Sequence, residues 1–380
     1  MFNERESNNI IFVQPDDPGL QYCGRISRGI HGGRSLVFPC SFLKWSFLGD
    51  NASIDIFAER FYFDMYAGVF IDGKQYKIRL HDEGKQSVDL LVGGEPASGL
   101  ERVGFDGSDM PAGYLQTASK IKDQHEIIFF KRQDACNVLE ICGLTLKGGR
   151  LIPQDPTEYS LKMEVYGDSV SAGEVSEAVD CAAAPDPEGH EGKYSNSWFS
   201  YSWITARKLN ACLHDIAQGG IALLNGTGWF SGPDYVGLES IYDKSRYYPD
   251  LKHAIDWDFS AYIPDVVVLA FGQNDANPED CMKDSYDGEK ACIWRDHYRR
   301  FILTVRNKYP DALIICTTTI LNHDPAWDRA IDEVVRGMGD SRILHFLFSN
   351  NGCGTPGHIR IPEAEKMAEE LSEFIRGKLK

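Results

Sequence analysis

The sequence predicts two domains of different class: an N-terminal antiparallel β-sandwich of jelly-roll type over residues 1–155, and a C-terminal α/β domain with a central parallel sheet over residues 156–380. Three observations predict it. Residues 35–146 are written in strands, with no helical period sustained beyond about two turns. A Gly/Pro-rich joint, KGGRLIPQDPTEYS, follows at residues 147–160. Beyond it, short apolar runs alternate with amphipathic stretches, the grammar of a parallel sheet covered by helices on both faces. A chain of 380 residues also exceeds what one ordinary core fills.

In the first domain, SIDIFAERFYFDMYAGVFIDGKQYKIRL carries β-branched and aromatic residues in alternating or continuous runs, and Asp72-Gly73 supplies a tight hairpin turn in its middle. HEIIFFKR and NVLEICGLTL continue the pattern. In the second domain, strands are expected at residues 161–166, 213–217, 266–271, 313–318 and 343–348, and helices at 197–209, 294–308, 325–338 and 362–379. Asp324-Pro325 reads as a cap followed by a first-turn proline, and Pro362 opens the last helix in the same way.

Composition narrows the function. Acids outnumber bases by 56 to 39, so the net charge of −17 repels phosphate backbones and anionic lipid. Nucleic acid and membrane are therefore not expected partners, and no apolar run approaches the roughly 18 residues of a membrane span. The ten cysteines are scattered without a C-x-x-C pair, which fits reduced and mostly buried thiols. The start, MFNERESNNI, lacks an export signal, which favours the cytoplasm; a longer start carrying one would make the protein secreted. The histidines show no metal-ligand spacing, and no cofactor is expected.

In parallel α/β sheets, sites form at the carboxyl ends of strands. Four short segments fall there. VYGDSVSAG places Ser169 just past the first strand, with Gly167 permitting a tight turn. ALLNGTGW offers Gly226 in a loop after the second, VVVLAFGQND ends the third with Asn274, and CGTPGHIRIPEAEKMAEEL sets His358 before the last helix. Each alone has a plain explanation as a cap, loop glycine, turn residue or surface histidine. Their fixed order at strand ends is harder to explain that way.

These blocks resemble the SGNH branch of the GDSL hydrolases, GDSVSAG matching its serine block, Gly226 its glycine block, GQND its asparagine block and His358 its histidine block. A sandwich ahead of such a domain, with HIRIPEAEKMAEEL and NSWFSYSWITARKLNA, is similar to the family 2 carbohydrate esterases, such as acetyl xylan esterases, over nearly the whole chain. The resemblance implies a serine esterase that removes O-acetyl groups from xylan-derived or related saccharides through an acetyl-enzyme. Ser169 would be the nucleophile and His358 the base, with Ser169 N–H, Gly226 N–H and the Asn274 amide as the oxyanion hole.

One departure stands out. The superfamily aspartate three residues before the histidine is Thr355 here, so the resemblance implies a Ser–His dyad whose Nδ1–H is held by a backbone carbonyl, with the Thr355 hydroxyl the less favoured acceptor. Asp168 and Asp275 read as turn-holding carboxylates, and Ser171 as a cap or turn residue. Trp229 and Trp327 are candidates to stack on a pyranose ring, and residues 174–194 form an insertion that rims the cleft or moves freely. The expected partner is an acetylated saccharide, and a homo-oligomer built through the sandwich is left open. Two other readings compete: a lipase or thioesterase of the same superfamily acting on other short-chain acyl esters, and a carbohydrate-binding protein whose hydrolase domain is idle.

Overall fold

A computed structural model describes residues 10–81, 83–110, 123–249 and 251–379. The chain divides into two compact units, Met1–Glu158 and Tyr159–Lys380.

The first unit consists of two antiparallel seven-stranded sheets. In one, the long strands Asn51–Arg60 and Asn137–Lys147 pair with each other, flanked by Gly84–Val92 on one side and by Arg34–Leu36 and Ile10–Val13 on the other. In the second, Phe42–Leu48, Gln124–Lys131, Met65–Ile71 and Lys74–Leu80 are neighbours in that order. The Asp72-Gly73 hairpin forms as expected: both residues take positive φ, 50° and 81°, the requirement of a two-residue turn that follows the strand twist. Strand alternation sorts the side chains. Ile54, Ile56 and Ala58 face inward, fully buried, while Asp55, Phe57 and Glu59 face out. The inward residues of both sheets, with Trp45, Phe47, Ile127 and Phe129 from the second, form one apolar core. Each large side chain so buried contributes about 1.5–3 kcal/mol.

The second unit is built on a five-stranded parallel sheet. We number its strands β1 (Leu161–Gly167), β2 (Ala211–Ala217), β3 (Val266–Ala270), β4 (Leu313–Thr317) and β5 (Ile343–His345). Their order is β2-β1-β3-β4-β5. The central strand β3 buries every residue completely, as a strand covered on both faces must. Its principal helices are α1 (Ser169–Ala172), α2 (Tyr201–Leu209), α3 (Glu289–Lys308), α4 (Ala326–Met338) and α5 (Ile361–Leu379). In α4 the buried Trp327, Ala330, Ile331, Val334 and Val335 recur at helical spacing, one stripe against the sheet.

The differences from expectation have local causes. The helix expected at 197–209 is split, because Ser200 leaves helical geometry and caps α2, its Oγ accepting from Trp203 N at 3.1 Å. The helix expected at 294–308 begins earlier, at Glu289. Asp324 does cap α4, its carboxylate accepting from Ala326 N at 2.9 Å. All ten cysteines are free thiols, but only Cys23, Cys40, Cys136 and Cys316 are buried, fewer than expected.

Candidate active site

The strand order puts a reversal at β1: the chain passes from β1 to β2 on one side and then to β3 on the other. The crevice between β1 and β3, at their carboxyl ends, is where such sheets bind ligands. Ser169 follows β1 and Asn274 follows β3, so the two flank it.

Ser169 opens α1 and is 5% exposed. The turn before it works only with Gly167, where a Cβ would stand 2.2 Å from Ser171 Oγ. Ser171 is turned away from the crevice, its Oγ 2.9 Å from Tyr201 OH. Asp168 caps α1: Oδ1 accepts from Val170 N at 3.0 Å, and Oδ2 accepts from Gln273 Nε2 at 2.7 Å and Asn274 Nδ2 at 3.2 Å. It thus holds the turn, as expected, and also ties it to the end of β3. Burial pushes the Asp168 carboxyl up to about 6, against the pull of its N–H donors and of His358. Gln273 extends the tie to β4, its Oε1 accepting from Thr319 N and Oγ1, both at 3.0 Å. Asp275 instead holds the loop after β2, accepting from Leu223 N at 2.9 Å and Leu224 N at 3.2 Å; burial pushes it up to about 7.

His358 is oriented from the insertion. Its Nδ1 lies 2.6 Å from Asp186 Oδ2, and its backbone N–H donates to Asp186 Oδ1 at 3.0 Å. The acceptor is therefore a carboxylate, in place of the expected backbone carbonyl. Thr355 Oγ1 accepts from Gly357 N at 3.3 Å and takes no part in holding His358. Asp186 is itself clamped by the fully buried Arg360, whose Nη2 donates to Oδ1 at 2.9 Å while Nε donates to Ala178 O at 3.1 Å. Burial would raise Asp186, but His358 and Arg360 hold it well below the usual carboxylate range. Gly357 makes room for this contact: a Cβ there would meet Ala184 O at 2.6 Å and Asp186 Oδ1 at 2.9 Å.

A second carboxylate approaches the other ring nitrogen, Glu174 Oε2 standing 3.9 Å from His358 Nε2. Glu174 N donates to Ser169 O at 3.0 Å, so the residue that leaves the serine turn also reaches the histidine. Burial lowers the imidazole pKa, yet Glu174 and Asp186 overcome this and raise it to about 9.

One of the three expected oxyanion donors is already bonded elsewhere. The Gly226 N–H donates to Tyr235 O at 2.9 Å and is spent inside its own loop, so it is not free for the expected oxyanion role. The glycines at the mouth of β2 are Gly219 and Gly220. Gly220 has φ +70° and accepts from Trp229 N at 2.7 Å and Phe230 N at 3.2 Å. Among the described residues, neither the Ser169 nor the Gly220 N–H makes a hydrogen bond. The Asn274 amide reaches the crevice, where Nδ2 donates to Ile221 O at 2.9 Å and, by its longer bond, to Asp168.

The two tryptophans separate cleanly. Trp327 is fully buried, lies edge-on to Trp294 at 5.2 Å and donates from Nε1 to Asp280 Oδ1 at 2.9 Å, so it cannot serve as a sugar platform. Trp229 is 65% exposed.

No profile of a known protein family matches the chain. Similar proteins are found by sequence: the cellulase/esterase CelE of Acetivibrio thermocellus is 27% identical over 96% of this chain and 40% of its own length. An acetylxylan esterase / glucomannan deacetylase of Cellvibrio japonicus is 29% identical over 61% of each chain. The chain thus spans less than two thirds of either relative. Among solved structures, a family two carbohydrate esterase from Clostridium thermocellum, in complex with cellohexaose, aligns over 95% of this chain and 99% of its own at 25% identity and a TM-score of 0.72. In sequence and in fold the chain is similar to family 2 carbohydrate esterases. A family two carbohydrate esterase from Cellvibrio japonicus shares the fold over 97% of this chain and 98% of its own, at 22% identity and a TM-score of 0.74. Sequence reasoning missed Glu174, Asp186, Gln273 and Arg360. Glu174, directly after GDSVSAG, Gln273, inside GQND, and Arg360, inside HIR, lay beside motif residues that could have drawn attention to them; Asp186 did not.

Proposed function

We propose that the chain is a serine esterase that removes O-acetyl groups from xylan-derived or related saccharides. Ser169 Oγ attacks the acetyl carbonyl carbon while His358 Nε2 takes its proton, and the carbonyl oxygen becomes the oxyanion. Ser169 N–H and the Asn274 amide face that oxygen, Asn274 giving up its longer bond, and Gly220 N–H takes the place read earlier as Gly226. His358 then returns the proton to the sugar oxygen as the C–O bond breaks. Water attacks the acetyl-serine, His358 takes its proton, and acetate leaves as Ser169 regains its hydroxyl. Asp186 keeps Nδ1 protonated and stabilises the imidazolium formed in both halves.

The observation that carries this reading is the 2.6 Å contact between His358 Nδ1 and Asp186, on a histidine that Glu174 links to the capped turn of Ser169. The exposed indole of Trp229, beside Gly220, supplies a flat face for the sugar ring. On the same family resemblance, we take the strand-built unit as a jelly roll. Acetate release from acetylated xylo-oligosaccharides, compared with hydrolysis of a longer-chain aryl ester, tests the proposal. The wild type is expected to release acetate and prefer the short acyl group, and Ser169→Ala to lose the activity while staying folded. Equal release by both proteins, or by neither, would overturn it.

A further inference from the structure

The strand-built unit carries a cavity that the proposed chemistry does not use. It lies on the outward face of the sheet containing Asn51–Arg60 and Asn137–Lys147, a face that antiparallel sheets ordinarily leave to water. Lys85, Phe57 and Glu140 stand in one cross-strand row, Phe57 pairing with Lys85 on one side and Glu140 on the other. Glu140 is fully buried because a loop folds over it: its carboxylate accepts from His31 N at 2.9 Å and Gly33 N at 2.7 Å. At Gly29 in the same loop a Cβ would meet that carboxylate at 1.9 Å. The loop is thereby fixed with His31 stacked on Phe57, ring centroids 3.6 Å apart at 27°. Across from this pair, Phe12 lies over Gly143, where a Cβ would stand 2.5 Å from its ring, and remains 50% exposed. Together with Gln14, Lys85 and Cys142 these rings enclose about 390 Å³.

We propose that this cavity is a second saccharide-binding site, taking a pyranose ring of a glycan chain between Phe12 and the His31–Phe57 pair, with Gln14 and Lys85 hydrogen-bonding its hydroxyls. A pyranose has apolar C–H faces and a polar rim, and the cavity presents the complement: aromatic faces and exposed polar side chains at the mouth. The buried Glu140 carboxylate and the Lys85 ammonium stand on either side of Phe57 and offset each other, so neither sign of charge dominates the cavity and a neutral sugar fits it. The site rests on the proposed function only for the choice of sugar.

The test is titration of the full chain with xylohexaose, which has no acetyl group to turn over, followed by amide hydrogen exchange. Exchange is expected to slow at residues 10–15 and 29–33. Phe12→Ala and, separately, Lys85→Met are expected to weaken binding at those segments, Phe12→Ala by at least about tenfold, or 1.4 kcal/mol. Acetate release from a small soluble acetyl ester is expected to stay unchanged in both. No protection of either segment at saturation, or wild-type binding by both variants, would overturn the site. Binding there without any acetate release would sink the esterase proposal and leave this one standing, whereas esterase activity without protection would do the reverse.

Discussion

Replacing Asp186 with Asn keeps the shape of the histidine's partner and removes its charge. The 2.6 Å contact to His358 Nδ1 is charge-assisted, and bonds of that type contribute about 1.5–3 kcal/mol, so losing it alone predicts roughly a 10- to 150-fold fall in kcat/KM. Asn can also present its NH₂ to Nδ1 and select the wrong tautomer, which in comparable Ser-His-Asp sites takes the loss toward about 10⁴-fold. The pH profile distinguishes this from a simple packing defect. The base must be neutral to act, and its pKa is raised to about 9, so activity should climb with pH until near 9. Removing one of the three carboxylates that raise it, Glu174, Asp186 and Asp168, should move that limb to lower pH. The comparison belongs on the alkaline plateau, because at pH 7 a base of pKa 9 is neutral in only roughly one molecule in a hundred, and the variant would regain part of its loss there. The assay is kcat/KM for an aryl acetate across pH 5 to 10, with circular dichroism to verify folding. A plateau within about threefold of wild type and an unmoved acid limb would refute the role given to Asp186.

Glu174→Gln should also shift the acid limb to lower pH, since the Glu174 charge also raises His358; the same pH series on this variant checks it. Gly357→Ala should force the 174–194 segment away from Asp186, because Ala184 O stands 2.6 Å from the new Cβ, and cost both activity and about 1–3 kcal/mol of stability in urea denaturation. The two tryptophans should behave oppositely. Trp229→Ala should raise KM for acetylated oligosaccharides with little change in kcat or melting temperature, while Trp327→Ala should destabilise the fold by about 3–5 kcal/mol, seen as a lowered urea midpoint.

Much of the catalytic unit was legible because its signals are local. The strand runs, the caps at Asp324 and Asp168 and the blocks around Ser169, Asn274 and His358 each depend on neighbours in sequence. Trp327 was misread as a sugar platform, although it falls in register with Ala330, Ile331 and Val334, and a stripe of that spacing faces the core. What escaped was long-range. Asp186 stands among prolines, alanines and other acids in an insertion, and nothing nearby marks it; its role comes from His358 and Arg360, far along the chain. The glycine position failed for a related reason. Gly219-Gly220 and Gly226 look alike as text, and only the bond from Gly226 N to Tyr235 O shows which one is already occupied.

The central claim is that Ser169 carries the acetyl group between attack and hydrolysis. Rapid-quench mass spectrometry during turnover of an acetyl ester, with peptide mapping, reads this directly. The account predicts one added acetyl group on the peptide containing Ser169, absent in His358→Ala. Acetylation elsewhere, or turnover with Ser169 unmodified at every quench time, would contradict it.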